Sequence, residues 1–162
     1  MTSPELNDAL SRLFNELVHG SPADACYVLN PKDPGLLASL DRLSAASASA
    51  PGPGGGSSVV AHVDHLHYGF EVMNRWFRGE NPFADADYSG SWRRGTVDEQ
   101  AWAGLRSRLR SSIDQWSGAL EKRREVNPTE LMGMIGSVVH LAYHLGAMRQ
   151  INRTLIGPTA ND

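Results

Sequence analysis

The sequence contains very little cysteine. Only Cys26 is present among 162 residues, so the chain can form no internal disulfide and has no cysteine-rich metal site. This absence excludes disulfide-stabilised secreted scaffolds and zinc fingers, and a cytoplasmic location is expected. Cys26 has no basic neighbour in sequence that would favour a reactive thiolate. Because six histidines accompany the one cysteine, any metal or acid–base chemistry must use imidazole or carboxylate groups.

The sequence also lacks an excess of basic charge and a long apolar run. Its 15 Lys and Arg are interleaved with 18 Asp and Glu, which predicts no nucleic-acid partner. No window approaches the roughly 20 apolar residues that cross a bilayer, and no targeting segment is expected. The GPGGG run lacks the Gly-Lys-Ser/Thr ending of a phosphate-binding loop. Residues 1–162 are therefore interpreted as one soluble domain.

No segment alternates convincingly between apolar and polar residues, which disfavours a β-sheet. Apolar residues instead recur every three or four positions, and Thr96 and Asn127 each begin a capping-box sequence. A short extra helix is expected at 34–46, and the Ala/Ser/Pro/Gly-rich segment 44–58 is expected to be a flexible connection. The long helices are predicted at 3–19, 57–78, 96–122 and 128–156.

Four long helices without strands indicate an all-α four-helix bundle. About 17 residues separate the second and third long helices, which is enough for the chain to return along a helix and makes a parallel pair possible. The short loop at 123–127 requires the third and fourth helices to be antiparallel neighbours.

The fourth helix carries His140 and His144. Their i, i+4 spacing places both imidazoles on one helix face, as a helix-borne metal site requires. Leu141 follows the first histidine where a His-Glu-x-x-His peptidase needs its general base, so that chemistry is disfavoured. The spacing alone leaves open two interpretations, a metal site or histidines that are solvated or hydrogen-bonded.

The second helix carries three histidines that cannot share one face. At about 100° per residue, His65 lies on the packing face beside the small residues Ala61 and Gly69, which would leave room for an ion or ligand. His67 lies about 160° away from His65 and is interpreted as solvated or paired with an acidic neighbour. His62, about 60° away, is left open as a ligand or as a group beside the site.

Two segments resemble the DinB/YfiT-like superfamily of metal-dependent enzymes: SSVVAHVDHLHYGFEVMNRWFRGENP and GSVVHLAYHLGAMRQINR. In that family the second helix contributes one histidine ligand and a His-x3-His motif on the fourth helix contributes two. The resemblance thus implies His65, His140 and His144 as metal ligands, with Gly146 and Gln150 in the tail of the motif. It further implies an up-down-down-up bundle, a homodimer and, as in some relatives, a low-molecular-weight thiol such as bacillithiol or mycothiol as co-substrate.

The leading hypothesis is a divalent-metal-dependent enzyme that acts on a small molecule as a thiol S-transferase or in a hydrolase-like reaction. Zn is the expected ion, and Ni or Fe could bind the same imidazoles. No catalytic residue or general base is assigned. Candidates for supporting the ligands or contacting substrate are His62, Tyr68, Tyr143 and Trp76. The alternative is a non-catalytic helical bundle that binds a small ligand or a partner, with a structural metal or none.

Overall fold

A computed structural model describes residues 3–21, 26–122 and 125–159, and all regular structure in these ranges is helical. Four of the six α-helices are long, so the prediction of an all-α helical bundle is confirmed. Four single 3-10 turns occupy parts of the connections. The α-helices are α1 (Ser3–His19), α2 (Gly35–Leu40), α3 (Ala45–Ser49), α4 (Val59–Phe77), α5 (Glu99–Leu120) and α6 (Pro128–Ile151).

Capping residues predicted the start of α6 correctly and the start of α5 only approximately. Asn127 and Glu130 form the predicted capping box at the start of α6, each side chain accepting the other residue's backbone N–H. The prediction that Thr96 starts the third long helix was wrong by two residues. Asp98 caps α5 instead, because its carboxylate accepts the Ala101 N–H at 2.8 Å.

The segment before α4 is more ordered in structure than its composition predicted. The single helix expected at 34–46 is divided into α2 and α3, and α3 lies within the segment 44–58 that was expected to lack regular structure. Ser44 caps α3 with its hydroxyl, and Glu99 accepts the Ala45 N–H at 2.8 Å. The alanines, which carry no side-chain entropy cost, allow α3 to pack closely, and Ala45 and Ala48 are buried.

The core of the bundle is apolar and lies between the four long helices. It draws on every long helix because each has an apolar face at helical spacing. The largest fully buried side chains are Phe14, Leu17, Leu36, Leu40, Leu66, Trp102, Leu105, Leu109, Ile113, Trp116, Leu120 and Leu141.

Residue contacts give the directions of the long helices. Along α4 and α5 the residue numbers of contacting pairs rise together, with His67 meeting Ser112 and Phe77 meeting Trp116, so these helices are parallel. Between α1 and α5 the numbers run in opposite directions, as shown by the hydrogen bonds from Asn7 to Lys122 and from Ser117 to Asn15. Helix α1 is therefore antiparallel to α5.

Helix α6 is antiparallel to α4. His62 of α4 meets His144, whereas Trp76, four turns further along α4, lies against Gly133. Together these directions give the up-down-down-up order that the family resemblance implied. Helix α6 ends at Ile151 rather than near residue 156, because Asn152 has an extended backbone and starts a new turn.

Parallel α4 and α5 require residues 78–98 to return along the length of α4. The connection does so in contact with that helix, and its successive residues meet successively earlier residues of α4. The contacts in chain order are Phe83 with Trp76, Asp85 with Arg75, Asp87 with Tyr68, Ser91 with His65 and Arg94 with Asp64.

The expectation that no window is apolar enough to cross a bilayer was wrong for α6, which passes that test by length and composition alone. In the structure, however, this helix packs against α1 and α4 and carries two histidines toward α4. One such helix is weak evidence for a span, because the core helix of a soluble protein passes the same test. The arrangement is consistent with a soluble protein.

Candidate metal centre

Three histidine nitrogens converge between α4 and α6. The Nε2 atom of His140 lies 3.2 Å from Nε2 of His65 and 2.9 Å from Nε2 of His144. Each of the three residues offers one ligand atom, and these atoms lie within 4.8 Å of one another. The structure thus brings together the three residues that the sequence singled out as metal ligands; binding of a metal by them stays a prediction.

The local sequence explains this convergence. One helical turn separates His140 from His144, so their rings meet with centroids 4.4 Å apart on the face of α6 that looks toward α4. Gly69 of α4 lies beneath His140, where an added Cβ would stand 3.7 Å from the imidazole Cε1. A methyl group at this position would make only an ordinary van der Waals contact, so Gly69 leaves space beside His140. The sequence predicted such room for an ion or ligand, and its occupant stays a prediction.

A hydrogen-bond chain fixes the orientation of His65. The Ser91 hydroxyl donates to the Tyr88 carbonyl at 2.8 Å, so its oxygen accepts from the Nδ1–H of His65 at 2.9 Å. The proton of neutral His65 is therefore on Nδ1, and its Nε2 lone pair points at the other two histidines. This arrangement, in which the remote nitrogen is held by a partner, is typical of histidines that bind metals.

His62, which the sequence left open, lies behind His144. Its Nδ1 is 2.8 Å from Nδ1 of His144, on the opposite side of that ring from the three converging Nε2 atoms. One of the two Nδ1 atoms must carry the hydrogen of this bond. When His144 carries its proton on Nδ1, His62 accepts it as Ser91 accepts the proton of His65, and His62 lies outside the group of three.

Trp92 covers the histidines on the side of the connection between α4 and α5. Its indole stacks on His65 with a centroid distance of 4.4 Å and an interplanar angle of 25°. It also meets His62 at 5.0 Å and His144 at 5.7 Å. Neither Ser91 nor Trp92 could be assigned to the site from the sequence, because neither lies on a helix whose period could place it.

Burial keeps these imidazoles neutral. Desolvation, followed by repulsion from neighbouring histidines, lowers the pKa of His65 to about 4 and that of His144 to about 3. Desolvation also lowers the pKa of His62 and of His140 below the usual histidine value. At neutral pH all four are uncharged, which is the form that binds a metal ion.

The two spacings measured from Nε2 of His140 fit a divalent ion. With metal–nitrogen bonds of about 2.0–2.1 Å, angles from octahedral to tetrahedral separate two ligand nitrogens by about 2.9–3.4 Å. The observed 2.9 and 3.2 Å fall in this range. Within residues 3–21, 26–122 and 125–159 no carboxylate or thiol joins the group, so an ion held there would keep open coordination positions. Open positions are typical of catalytic rather than structural metal sites.

The other candidates lie around the three histidines rather than among them. The Tyr68 hydroxyl accepts the Asp87 N–H at 2.7 Å and so holds the connection against α4. Tyr143 is 67% exposed, with its ring 5.0 Å from that of His144. Trp76 packs on Phe83 two turns away from His140 along the groove between α4 and α6.

The remaining two histidines, and the carboxylate of Asp64, have other roles. His67 hydrogen-bonds Ser112 of α5 at 3.3 Å rather than pointing to solvent, and exposed His19 ends α1. Asp64 pairs with Arg94 at 2.8 Å, which agrees with leaving the general base unassigned.

The fold and site together define a helical bundle with a three-histidine centre suited to a divalent ion. A family model described as the DinB superfamily matches residues 35–147, which is more than half of the chain. The protein therefore belongs to the DinB superfamily, and the resemblance seen in the two histidine segments is confirmed. No curated protein matches the chain, and no solved structure does. Gly146 and Gln150, in the tail of the second segment, are exposed on α6.

Proposed function

We propose that this protein is a divalent-metal-dependent enzyme in which His65, His140 and His144 hold the ion. The observation that carries the proposal is the convergence of three neutral Nε2 atoms with no fourth ligand from the described residues. Zn is the expected ion, and Ni or Fe would suit the same nitrogens, because supply and geometry decide which metal occupies such a site.

The proposed reaction is the transfer of a low-molecular-weight thiol, such as bacillithiol or mycothiol, to an electrophilic small molecule in the cytoplasm. An ion held by His65, His140 and His144 would supply a Lewis acid that favours the thiolate form of the thiol. The sulfur forms a bond to the electrophilic carbon, the leaving group departs with its electron pair, and the thiol proton passes to solvent. Ser91 keeps His65 aimed at the site, and Trp92 limits access of water from the side of the connection.

Metal analysis tests the site. Protein purified without a nickel column should contain close to one ion per chain, and His144→Ala should lose it. His67→Ala is the matched control, because it removes a half-buried, hydrogen-bonded histidine outside the group of three. Equal metal content in His144→Ala and His67→Ala would contradict the assignment.

A thiol panel tests the reaction. Bacillithiol, mycothiol and glutathione are each mixed with electrophilic acceptors, before and after treatment with a chelator. Turnover of one thiol that chelation abolishes and metal restores supports the proposal. Hydrolysis of the acceptor without consumption of thiol would favour the hydrolase-like reaction. In Co-substituted protein, a visible spectrum that no thiol alters would favour the non-catalytic alternative, because the ion would then lack an open position.

We also propose that the protein is a homodimer. Large apolar side chains are exposed along one stripe of α6, and a second copy could bury this stripe against its own. The stripe contains Met132 (69% exposed), Ile135 (37%), Val139 (61%) and Tyr143 (67%). Sedimentation should show a dimer that Val139→Glu converts to monomer. A wild-type monomer at micromolar concentration would refute this assignment.

A further inference from the structure

A groove of about 440 Å³ lies between α4 and α6 and begins beside His140. Its volume falls within the range of about 300–1,000 Å³ that small-molecule sites occupy. None of the described residues that line it carries a charge at neutral pH. The walls are formed mainly by Leu66, Phe70, Met73, Trp76, Phe83 and Met132.

Two glycines of α6 line the groove and shape its wall. At Gly133 an added Cβ would lie 2.5 Å from Cζ3 of Trp76, so the indole packs directly on the backbone of α6. At Gly136 an added Cβ would meet nothing within 4 Å, so this residue leaves open space along the groove. Alanine or a larger residue at either position would narrow the cavity or move its wall.

The side chains that line the groove offer no opposite charge to a charged ligand, and its hydroxyl groups are those of Tyr88, Thr129 and Ser137. The Ser137 hydroxyl donates to the Met134 carbonyl and accepts the Trp116 indole N–H at 2.8 Å, so both its functions are used within the core. A carboxylate, phosphate or ammonium group placed among these side chains would lose hydration without gaining a partner of opposite charge. Burial of an uncharged apolar group carries no such penalty and is itself favourable.

We infer that the groove binds an uncharged alkyl or aryl group of the substrate, with the reacting end of that substrate beside His140. This inference rests on the proposed function, since His140 belongs both to the groove and to the metal centre. The occupant is an apolar small molecule and not a protein segment, because the groove runs directly into the histidine cluster. His140 lies seven positions after Gly133 along α6, a rise of about 10 Å, so the apolar group extends to about 10 Å.

The test uses two probe series with the same n-alkyl tails. Hydroxamates carry a metal-chelating head, and the matched primary amides do not. Titration calorimetry on the Zn-loaded protein should show hydroxamate affinity rising about fourfold per methylene. The increase should stop when the tail exceeds about 10 Å. The Gly136→Leu variant should lose the length dependence while binding acetohydroxamate as the wild type does.

Gly118→Leu is the matched control, because Gly118 is an exposed helical glycine of α5 that also has open space around it. Equal losses of length dependence in the Gly136 and Gly118 variants would overturn the assignment of the tail to the groove. Tight binding of acetohydroxamate, with an affinity that does not change with tail length, would also overturn this assignment. That result would not contradict the proposed metal centre. Length-dependent amide binding with no binding of acetohydroxamate would instead support the groove and refute the proposed metal-dependent function.

Discussion

The hydrogen bond between His65 and Ser91 predicts that Ser91, which is not one of the proposed ligands, affects the metal affinity of the site. In Ser91→Ala the Nδ1–H of His65 loses its acceptor. Both side chains are buried, with 7% of Ser91 and 8% of His65 exposed, so water cannot readily replace the lost oxygen. Leaving a buried donor without a partner costs about 1–3 kcal/mol.

That cost appears in metal affinity, because the metal-bound form requires the proton of His65 to stay on Nδ1. A loss of about 1.4 kcal/mol corresponds to a tenfold change in a binding constant, and partners of ligating histidines commonly contribute 10–100-fold to metal affinity. We therefore expect Zn affinity to fall by about 10–100-fold in Ser91→Ala.

Competition with a chromophoric chelator at pH 7.5 measures this affinity. Ser89→Ala is the matched control: its hydroxyl lies in the same connection, donates to Asp87 at 2.6 Å and makes no contact with a histidine. Since Ser91 also bonds the Tyr88 carbonyl, thermal melting of the metal-free variants separates any general loss of stability from the effect on the ligand. Equal Zn affinities in Ser91→Ala and Ser89→Ala would refute the reasoning.

Three further results are expected. The pKa values of His65 and His144 are lowered to about 4 and about 3 from 6.5, so the unfolded chain binds more protons below pH 6.5. The metal-free protein should therefore lose about 1.4 kcal/mol of stability per pH unit per histidine as the pH falls from 6.5 toward the pKa values of the folded protein. Urea titrations at several pH values can measure this. If the dependence of unfolding free energy on pH were unchanged after substituting both histidines by alanine, the prediction would be contradicted. Glu16→Gln should lower the free energy of unfolding by about 1.5–3 kcal/mol, because the buried carboxylate accepts the backbone N–H groups of residues 27–29. An unchanged free energy of unfolding in this variant would show that these bonds add no net stability. Leu109→Ala, at a fully buried position, should cost about 2–5 kcal/mol in the same assay, and a loss below about 1 kcal/mol would argue against its place in the core.

Residues on regular helices were those whose positions could be predicted from the sequence. The period of α4 placed His65 on the packing face and His67 away from it, and the His140–His144 spacing placed those two rings together. The start of α6 was predictable because Asn127 and Glu130 satisfy each other's backbone groups locally. In each case the determining interaction lies within one or two helical turns.

The residues that could not be predicted are held by contacts distant in sequence. Ser91 and Trp92 reach the histidines from a connection without any period, so only the folded path of that connection brings them there. Helix α3 was missed because its alanines are buried by packing with other elements and its first N–H is bound by Glu99, 54 positions later. The composition of a segment carries no information about the surface against which it packs, so it could not predict this helix.

Because α4 and α5 are parallel, a deletion in the connection between them would affect more than a turn. A pair of antiparallel neighbours could be joined by a few residues, and a deletion between them would then affect little beyond the turn itself. Here the chain must travel the length of α4 to begin α5, and the residues that span this distance include the acceptor for His65 and the indole that covers it. Shortening the connection would thus alter the centre before it strained the bundle. Residues 78–98 therefore both span the length of α4 and place Ser91 and Trp92 against His65.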